Sequence, residues 1–224
     1  MTRSDTSLMR DEEVRVATRS AVVSGHLAVP EQPRGVIVFA HGSGSSRHSP
    51  RNRYVAEVLN GAGFATLLFD LLTPEEERDR ANVFDIGLLS SRLVDVTRWL
   101  AAEPETGSLP VGYFGASTGA GAALAAAADP AVAVAAVVSR GGRPDLAGTA
   151  LAHVEAPTLL IVGGRDPEVL ALNRQAQAAI PGECELAVVP GATHLFEEPG
   201  TLVQVAELAS AWFDRHLGRR PAGD

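Results

Sequence analysis

Val111-Gly112-Tyr113-Phe114-Gly115-Ala116-Ser117-Thr118-Gly119 decides how the rest of the chain is read. A short apolar run, which predicts a strand, leads into Gly-x-Ser-x-Gly, and the alanine-rich segment behind it predicts a helix. A serine at such a junction sits on a tight strand-to-helix turn, the nucleophile elbow, with its hydroxyl lifted above the sheet edge. Gly115 and Gly119 stand where the strand and helix backbones approach, and neither has a side chain to obstruct them. Ser117 is the nucleophile that this stretch predicts.

The same residues contain a second pattern. Gly115, Gly119 and Gly121 form G-x-x-x-G-x-G between a strand and a helix, which resembles the nucleotide-binding turn of short-chain dehydrogenases. Those enzymes carry the turn after their first strand, whereas about half of this chain precedes it. They also need Tyr-x-x-x-Lys, and all nineteen basic residues here are arginine. The absence of lysine excludes Schiff-base chemistry and lysine-dependent phosphate loops as well.

A chain of 224 residues fits one α/β domain. Residues 1–11 read as a flexible polar lead, 12–218 as the domain and 219–224 as a tail. The net charge of -8 argues against nucleic acid or an anionic membrane as partner. A single cysteine, Cys184, leaves no intrachain disulfide and reads as a small residue in or near a buried strand. No apolar leader stands at the N-terminus, and Asp129-Pro130 interrupts the most apolar tract. These features place the protein in the cytoplasm, without a membrane span, and leave a homodimer open.

Working outward from the elbow, alternation over Glu13–Thr18 and Ala21–Val29 predicts an opening hairpin. Continuous β-branched and apolar runs at 35–40, 65–72, 132–139 and 158–162 predict strands buried on both faces, and 185–189 a final strand. Helical spacing recurs at 51–62, 85–102, 118–128, 168–180 and 201–216, and Thr73 to Arg80 reads as a charged loop or short helix. Strands alternating with helices imply a mostly parallel sheet covered on both faces, with ligands at the carboxyl ends of the strands.

Three side chains fall just past predicted strand ends in the order Ser117, Asp166, His194. A serine hydroxyl attacks only when a base removes its proton; His194 is placed to do so, and Asp166 to orient the imidazole and stabilise its charged form. Asp145 is the rival acid, and reads more simply as a helix-start residue. The backbone N–H groups of Thr118 and Ser43, the latter chosen over Gly44, are the donors expected for an oxyanion. His41 reads as a support for its turn, while His26, His153 and His216 read as structural or exposed. No cluster has metal-ligand spacing, and no cofactor is expected.

Together His41-Gly42-Ser43-Gly44, Gly115-Ala116-Ser117-Thr118-Gly119, Gly163-Gly164-Arg165-Asp166 and Gly191-Ala192-Thr193-His194 resemble the α/β-hydrolase superfamily. The size and layout resemble its lidless dienelactone-hydrolase-like branch. This resemblance implies a three-layer α/β-hydrolase fold without a cap domain. Dienelactone hydrolases proper use a cysteine nucleophile; serine at this position points instead to a general ester hydrolase. The expected activity is cleavage of small soluble carboxylic esters through an acyl-enzyme. An acyltransferase or thioesterase with the same three residues, and a ligand-binding protein without turnover, are the alternatives. Arg47, Arg51, Arg140 and Arg143 flank the expected site and could hold a substrate carboxylate, against the simpler reading that they pair with surface acids.

Overall fold

A computed structural model describes residues 8–218. The expected tail at 219–224 and the expected lead before residue 8 lie outside the described residues. Strands β1 (Leu8–Ala17), β2 (Val22–Pro30), β3 (Val36–Ala40) and β4 (Ala65–Phe69) are followed by β5 (Val111–Ala116), β6 (Ala136–Arg140), β7 (Thr158–Gly163) and β8 (Cys184–Val189). They form one eight-stranded sheet in the order β1-β2-β4-β3-β5-β6-β7-β8. Only the pairings of β1 with β2 and of β2 with β4 are antiparallel; the rest of the sheet is parallel.

Among the described residues five α-helices lie between strands, α1 (Pro50–Gly61), α2 (Arg80–Val83), α3 (Ile86–Ala102), α4 (Thr118–Ala127) and α5 (Pro167–Ala179), and α6 (Thr201–Leu217) follows β8. One face of the sheet packs on α1 and α6 through residues such as Phe39, Phe114, Leu59 and Phe213. The other packs on α3, α4 and α5 through Val38, Leu67, Leu93, Leu124 and Ala176. β3 to β7 are buried along their whole length apart from the half-buried Val111, which is why their sequences read as unbroken apolar runs. This is the expected three-layer architecture. Between β6 and β7 only 3-10 turns over Pro144–His153 intervene, so no cap is inserted there.

Several expected boundaries move, each for a local reason. β1 begins at Leu8, so residues 8–11 belong to the sheet and not to a polar lead. Charge hid this end of an edge strand: Arg10 pairs with Glu103 and Glu105 beyond α3. β4 stops at Phe69, three residues early: the Asp70 N–H still reaches Ser24 O on β2, but its carboxylate is taken by Arg47 and the next N–H, of Leu71, turns to His41 Nε2. Leu71 and Leu72 are thereby freed from the sheet. β6 begins four residues later than expected, at Ala136, after a turn in which Val132 N–H bonds to Asp129, and it runs on through Arg140.

Candidate active site

Ser117 lies between β5 and α4 with φ 51° and ψ −122°, a conformation that costs a non-glycine residue about 1–3 kcal/mol. Close packing holds it there. A Cβ on Gly119 would stand 2.2 Å from the Ala40 carbonyl oxygen, and one on Gly115 would stand 2.4 Å from Ala120 Cα. Both elbow glycines are therefore sites of backbone contact, as their spacing predicts. The Ser117 N–H donates to Arg140 O at 3.3 Å and its carbonyl accepts from Arg143 N–H at 3.0 Å, so the Arg140-Gly141-Gly142-Arg143 turn braces the serine on both sides. Helix α4 is buried nearly all round, which its Ala and Gly content allows, and it aims the positive end of its dipole at the serine.

Asp166 follows β7, and His194 follows β8. Their turns interlock: Gly164 N–H bonds to Val189 O, and Arg165 N–H to Ala192 O. A Cβ on Gly163 would meet Ala192 O at 2.5 Å, so this closeness also depends on glycine. The result is a hydrogen bond of 2.7 Å between His194 Nδ1 and Asp166 Oδ2. The Asp166 side chain is largely buried and that of His194 is more open. Among the described residues no hydrogen bond joins the Ser117 hydroxyl to His194. The two are connected through the Arg140-Gly141 turn, since a Cβ on Gly141 would lie 3.6 Å from His194 Cε1. Asp145, the rival acid, is held by Arg143 in a two-pronged pair at 2.8 and 2.7 Å.

The expected oxyanion donors are differently placed. Thr118 opens α4, and its N–H has no acceptor among the described residues. Ser43 N–H, by contrast, donates to Thr118 Oγ1 at 2.8 Å. The hydroxyl fastens the turn after β3 to the elbow and engages one of the two donors expected for an oxyanion. Replacing Thr118 with valine preserves shape and removes one hydrogen bond worth about 1 kcal/mol. The expected result is a fall in kcat/KM of about fivefold and in Tm of a few degrees. Ester kinetics and thermal melting of Thr118→Val check this; a rise in rate would show that the hydroxyl only obstructs Ser43.

His41 carries the same turn. Buried, it sets Nδ1 3.0 Å from Gly42 O and accepts from Leu71 N–H at Nε2, 3.1 Å away. These partners require the neutral Nδ1–H tautomer, and burial pushes its pKa below the ordinary 6.5. As pH falls below about 6.5, the unfolded chain takes up this proton before the folded one. Stability from His41 is thus complete above that value and declines toward the lowered folded pKa. The Tm of His41→Gln should vary less with pH across this window; an identical slope would contradict the assignment.

Beside Ser43 and Thr118 opens a cavity of about 390 Å³ with Leu71, Leu72, Val83 and Leu89 in its wall and Glu77 at its edge. Its floor comes from the residues released by the early end of β4. A buried Arg92 to Glu76 pair at 2.7 Å ties the Thr73–Arg78 segment to α3 behind it.

The four flanking arginines separate clearly. Arg47 is engaged by Asp70 and by Glu13, and Arg143 by Asp145, in line with the simpler of the two readings weighed for them. Arg51 makes one contact, to Glu197 at 3.2 Å. Arg140 is buried and makes no side-chain hydrogen bond or ion pair among the described residues.

Several contributing residues carry no mark in the sequence. Asn173 on α5 donates from Nδ2 to Gly142 O at 3.0 Å and steadies the turn that braces Ser117. Phe196, at φ 54°, packs on Gly141 beside His194. Glu198 accepts from Thr193 N–H, which pins the His194 turn, and hydrogen bonding to Thr193, its side chain first and then its N–H, holds the Glu198 carboxyl below the usual range. Neither motif nor spacing signals such contacts, although Glu198 lies only four residues past His194. Cys184 is half-buried at the start of β8, and burial pushes its thiol up to about 11, as its structural reading anticipates.

A family profile described as the dienelactone hydrolase family matches residues 23–215. Two Mycobacterium tuberculosis proteins, from strains CDC 1551 / Oshkosh and ATCC 25618 / H37Rv, are each 76% identical over 216 residues. Both carry a provisional phosphoribosyl transferase name; the match covers 96% of this chain and 49% of theirs, so the chain spans about half their length. The crystal structure of a dienelactone hydrolase from Anabaena variabilis superposes with a TM-score of 0.89 at 57% identity, covering 93% of this chain and 98% of that one. The esterase domain of a Rhodothermus marinus protein shares the fold at 20% identity, with a TM-score of 0.75 over 94% of this chain and 100% of that one.

Proposed function

The chain belongs to the dienelactone hydrolase family, and we propose that it is a hydrolase that cleaves small soluble carboxylic esters through Ser117, His194 and Asp166. The observation carrying this reading is the 2.7 Å His194 to Asp166 hydrogen bond at the strand edge where the elbow presents Ser117. With Nδ1 committed to the carboxylate, Nε2 is the nitrogen left to take the serine proton.

In the proposed reaction Ser117 Oγ attacks the ester carbonyl as its proton passes to His194 Nε2. Thr118 N–H, joined by Ser43 N–H as it turns from the threonine hydroxyl, receives the oxyanion. Collapse expels the alcohol, which takes the proton from His194 and leaves the acyl group on Ser117. Water, deprotonated by the same imidazole, then releases the acid and restores the hydroxyl. The chemistry is complete in side chains, backbone and water.

The cavity beside the elbow, with four aliphatic side chains in its wall, suits a compact apolar group, and no cap restricts access. The transferase name of the mycobacterial relatives belongs to proteins of about twice this length, of which this chain matches one half. No helix among the described residues is long and apolar enough to cross a membrane. A series of p-nitrophenyl esters tests the reading. Turnover of short acyl chains, with an acyl-enzyme trapped by acid quench and seen by mass, is expected; absence of both would overturn it. Transfer to an added alcohol or amine faster than hydrolysis would assign an acyltransferase instead.

A further inference from the structure

We propose that Glu77, at the edge of the apolar cavity beside the oxyanion turn, selects substrates whose cavity-bound group ends in a compact cation, an alkylammonium. This inference deepens the ester hydrolase reading and rests on it for the reacting centre. It starts from the acidic run Glu75-Glu76-Glu77, whose composition is that of a solvated face. The structure divides the run. Glu76 turns inward: its Oε1 accepts from the buried Arg92 at 2.7 Å, and its Oε2 accepts from Thr73 N–H at 2.8 Å. Glu75 is exposed and lines no part of the cavity, whereas Glu77 stands at the cavity's edge.

The backbone holds Glu77 in this place. Its N–H donates to Thr73 O at 3.0 Å, the Glu76 N–H donates to Thr73 Oγ1 at 3.2 Å, and Asn82 Nδ2 donates to Glu76 O at 2.9 Å. The Glu77 side chain, by contrast, makes no hydrogen bond or ion pair among the described residues; the buried Arg92 is committed to Glu76, and the Arg80 guanidinium lies over the Phe84 ring, 5.9 Å from its centre. A carboxylate positioned by its backbone and left without a partner loses little freedom when a cation arrives.

Among the residues lining the cavity Glu77 is the only charged side chain. The other titratable group there, His41, is held neutral by its two backbone partners. The Glu77 carboxylate is close enough to the turn for its charge to reach that imidazole: burial dominates the His41 pKa, and the Gly42 carbonyl, then the charges of Asp70 and Glu77, act against burial. The walls, Leu71, Leu72, Val83 and Leu89, are aliphatic. The methyl or methylene groups of an alkylammonium would be buried against them while its charge faces Glu77, and the low polarity of the walls makes that attraction stronger than in open water. A carboxylate or phosphate in the same place would meet a like charge, so the residue that admits cations also excludes anions. Ser43 and Thr118, the expected oxyanion donors, line the same cavity, so one small substrate can reach both Ser117 and Glu77.

The test compares a trimethylammonium group with its neutral tert-butyl isostere and with a carboxylate. Each is placed at the end of the same short acyl chain in a p-nitrophenyl ester, and at the end of the same short alcohol in a butyrate ester. In one of the two series the intact chain should favour the cation over the isostere by about fivefold in kcat/KM, chiefly through KM, the size expected of an ion pair partly open to water. The carboxylate should be the poorest of the three, and the preference should shrink as salt is raised. E77Q should abolish the preference for the cation and E77K should invert it, whereas E75Q, which removes the same charge from the same run outside the cavity, should keep it. Equal loss in E75Q and E77Q would assign the preference to the net negative field of the chain and overturn the subsite, as would a preference that survives in E77Q. A readout without turnover is saturation-transfer NMR of butyltrimethylammonium on S117A: transfer to its methyl protons is expected, and should disappear when E77Q is added. Ester hydrolysis with no preference for the cation in either series, and no such transfer, would overturn the subsite and leave the hydrolase standing. Transfer that is lost with E77Q while no ester is cleaved would overturn the hydrolase and leave the subsite standing.

Discussion

Ser117→Ala is expected to lower kcat/KM for a short p-nitrophenyl ester by about 10⁴- to 10⁶-fold, the range in which loss of a serine nucleophile leaves only oxyanion binding and positioning. The size of the effect follows from the lack of a substitute. Ser43 presents its backbone to the site through a bond to Thr118, and Cys184 is a protonated, half-buried thiol at the start of β8. The variant should also fold, because the Ser117 hydroxyl makes no hydrogen bond among the described residues and both backbone braces remain. Loss of activity with an unchanged melting curve therefore reports chemistry and not collapse. Retention of more than about one part in a hundred of the activity would transfer the reaction to another residue.

Asp166→Asn should be nearly as severe, at about 10³- to 10⁴-fold in kcat. The carboxylate at 2.7 Å fixes the proton on His194 Nδ1 and leaves Nε2 free to act as base. An amide facing that nitrogen through its NH₂ would hold the opposite tautomer, with Nε2 protonated and unable to accept from serine. Folding should be little affected, since Asp166 precedes α5 but makes no capping hydrogen bond with its side chain. Asp145→Asn is the natural control, as that carboxylate serves Arg143. If the two variants lost activity equally, the assignment of the acid would be wrong. Steady-state kinetics on both, beside their circular dichroism spectra, decide the matter.

Much of this was legible in the residues. The apolar runs that become β3 and β7 declare themselves because both faces of a parallel sheet are covered, and the elbow glycines because backbone contact forbids a side chain at those points. The order Ser117, Asp166, His194 was readable for a related reason: each follows a strand end, and a parallel sheet brings all its strand ends to one edge. What stayed hidden depends on partners distant in sequence. Nothing local says that Arg47 is consumed by Asp70 and Glu13 while Arg140 goes unpaired. Likewise, the Thr118 hydroxyl reaches Ser43 across 75 residues, and the cavity exists because β4 ends early. The lead was misread at residues 8–11 since an edge strand with charged side chains has the composition of a loop.

The central claim is that Ser117 is the activated nucleophile, and covalent labelling tests it most directly. The intact chain is incubated with a serine-directed fluorophosphonate and weighed whole, and the adduct is then mapped by peptide mass spectrometry. One adduct on Ser117, absent from Ser117→Ala and formed far more slowly in Asp166→Asn, is the predicted result. No adduct on the folded chain, or an adduct on another residue that persists in Ser117→Ala, would contradict it.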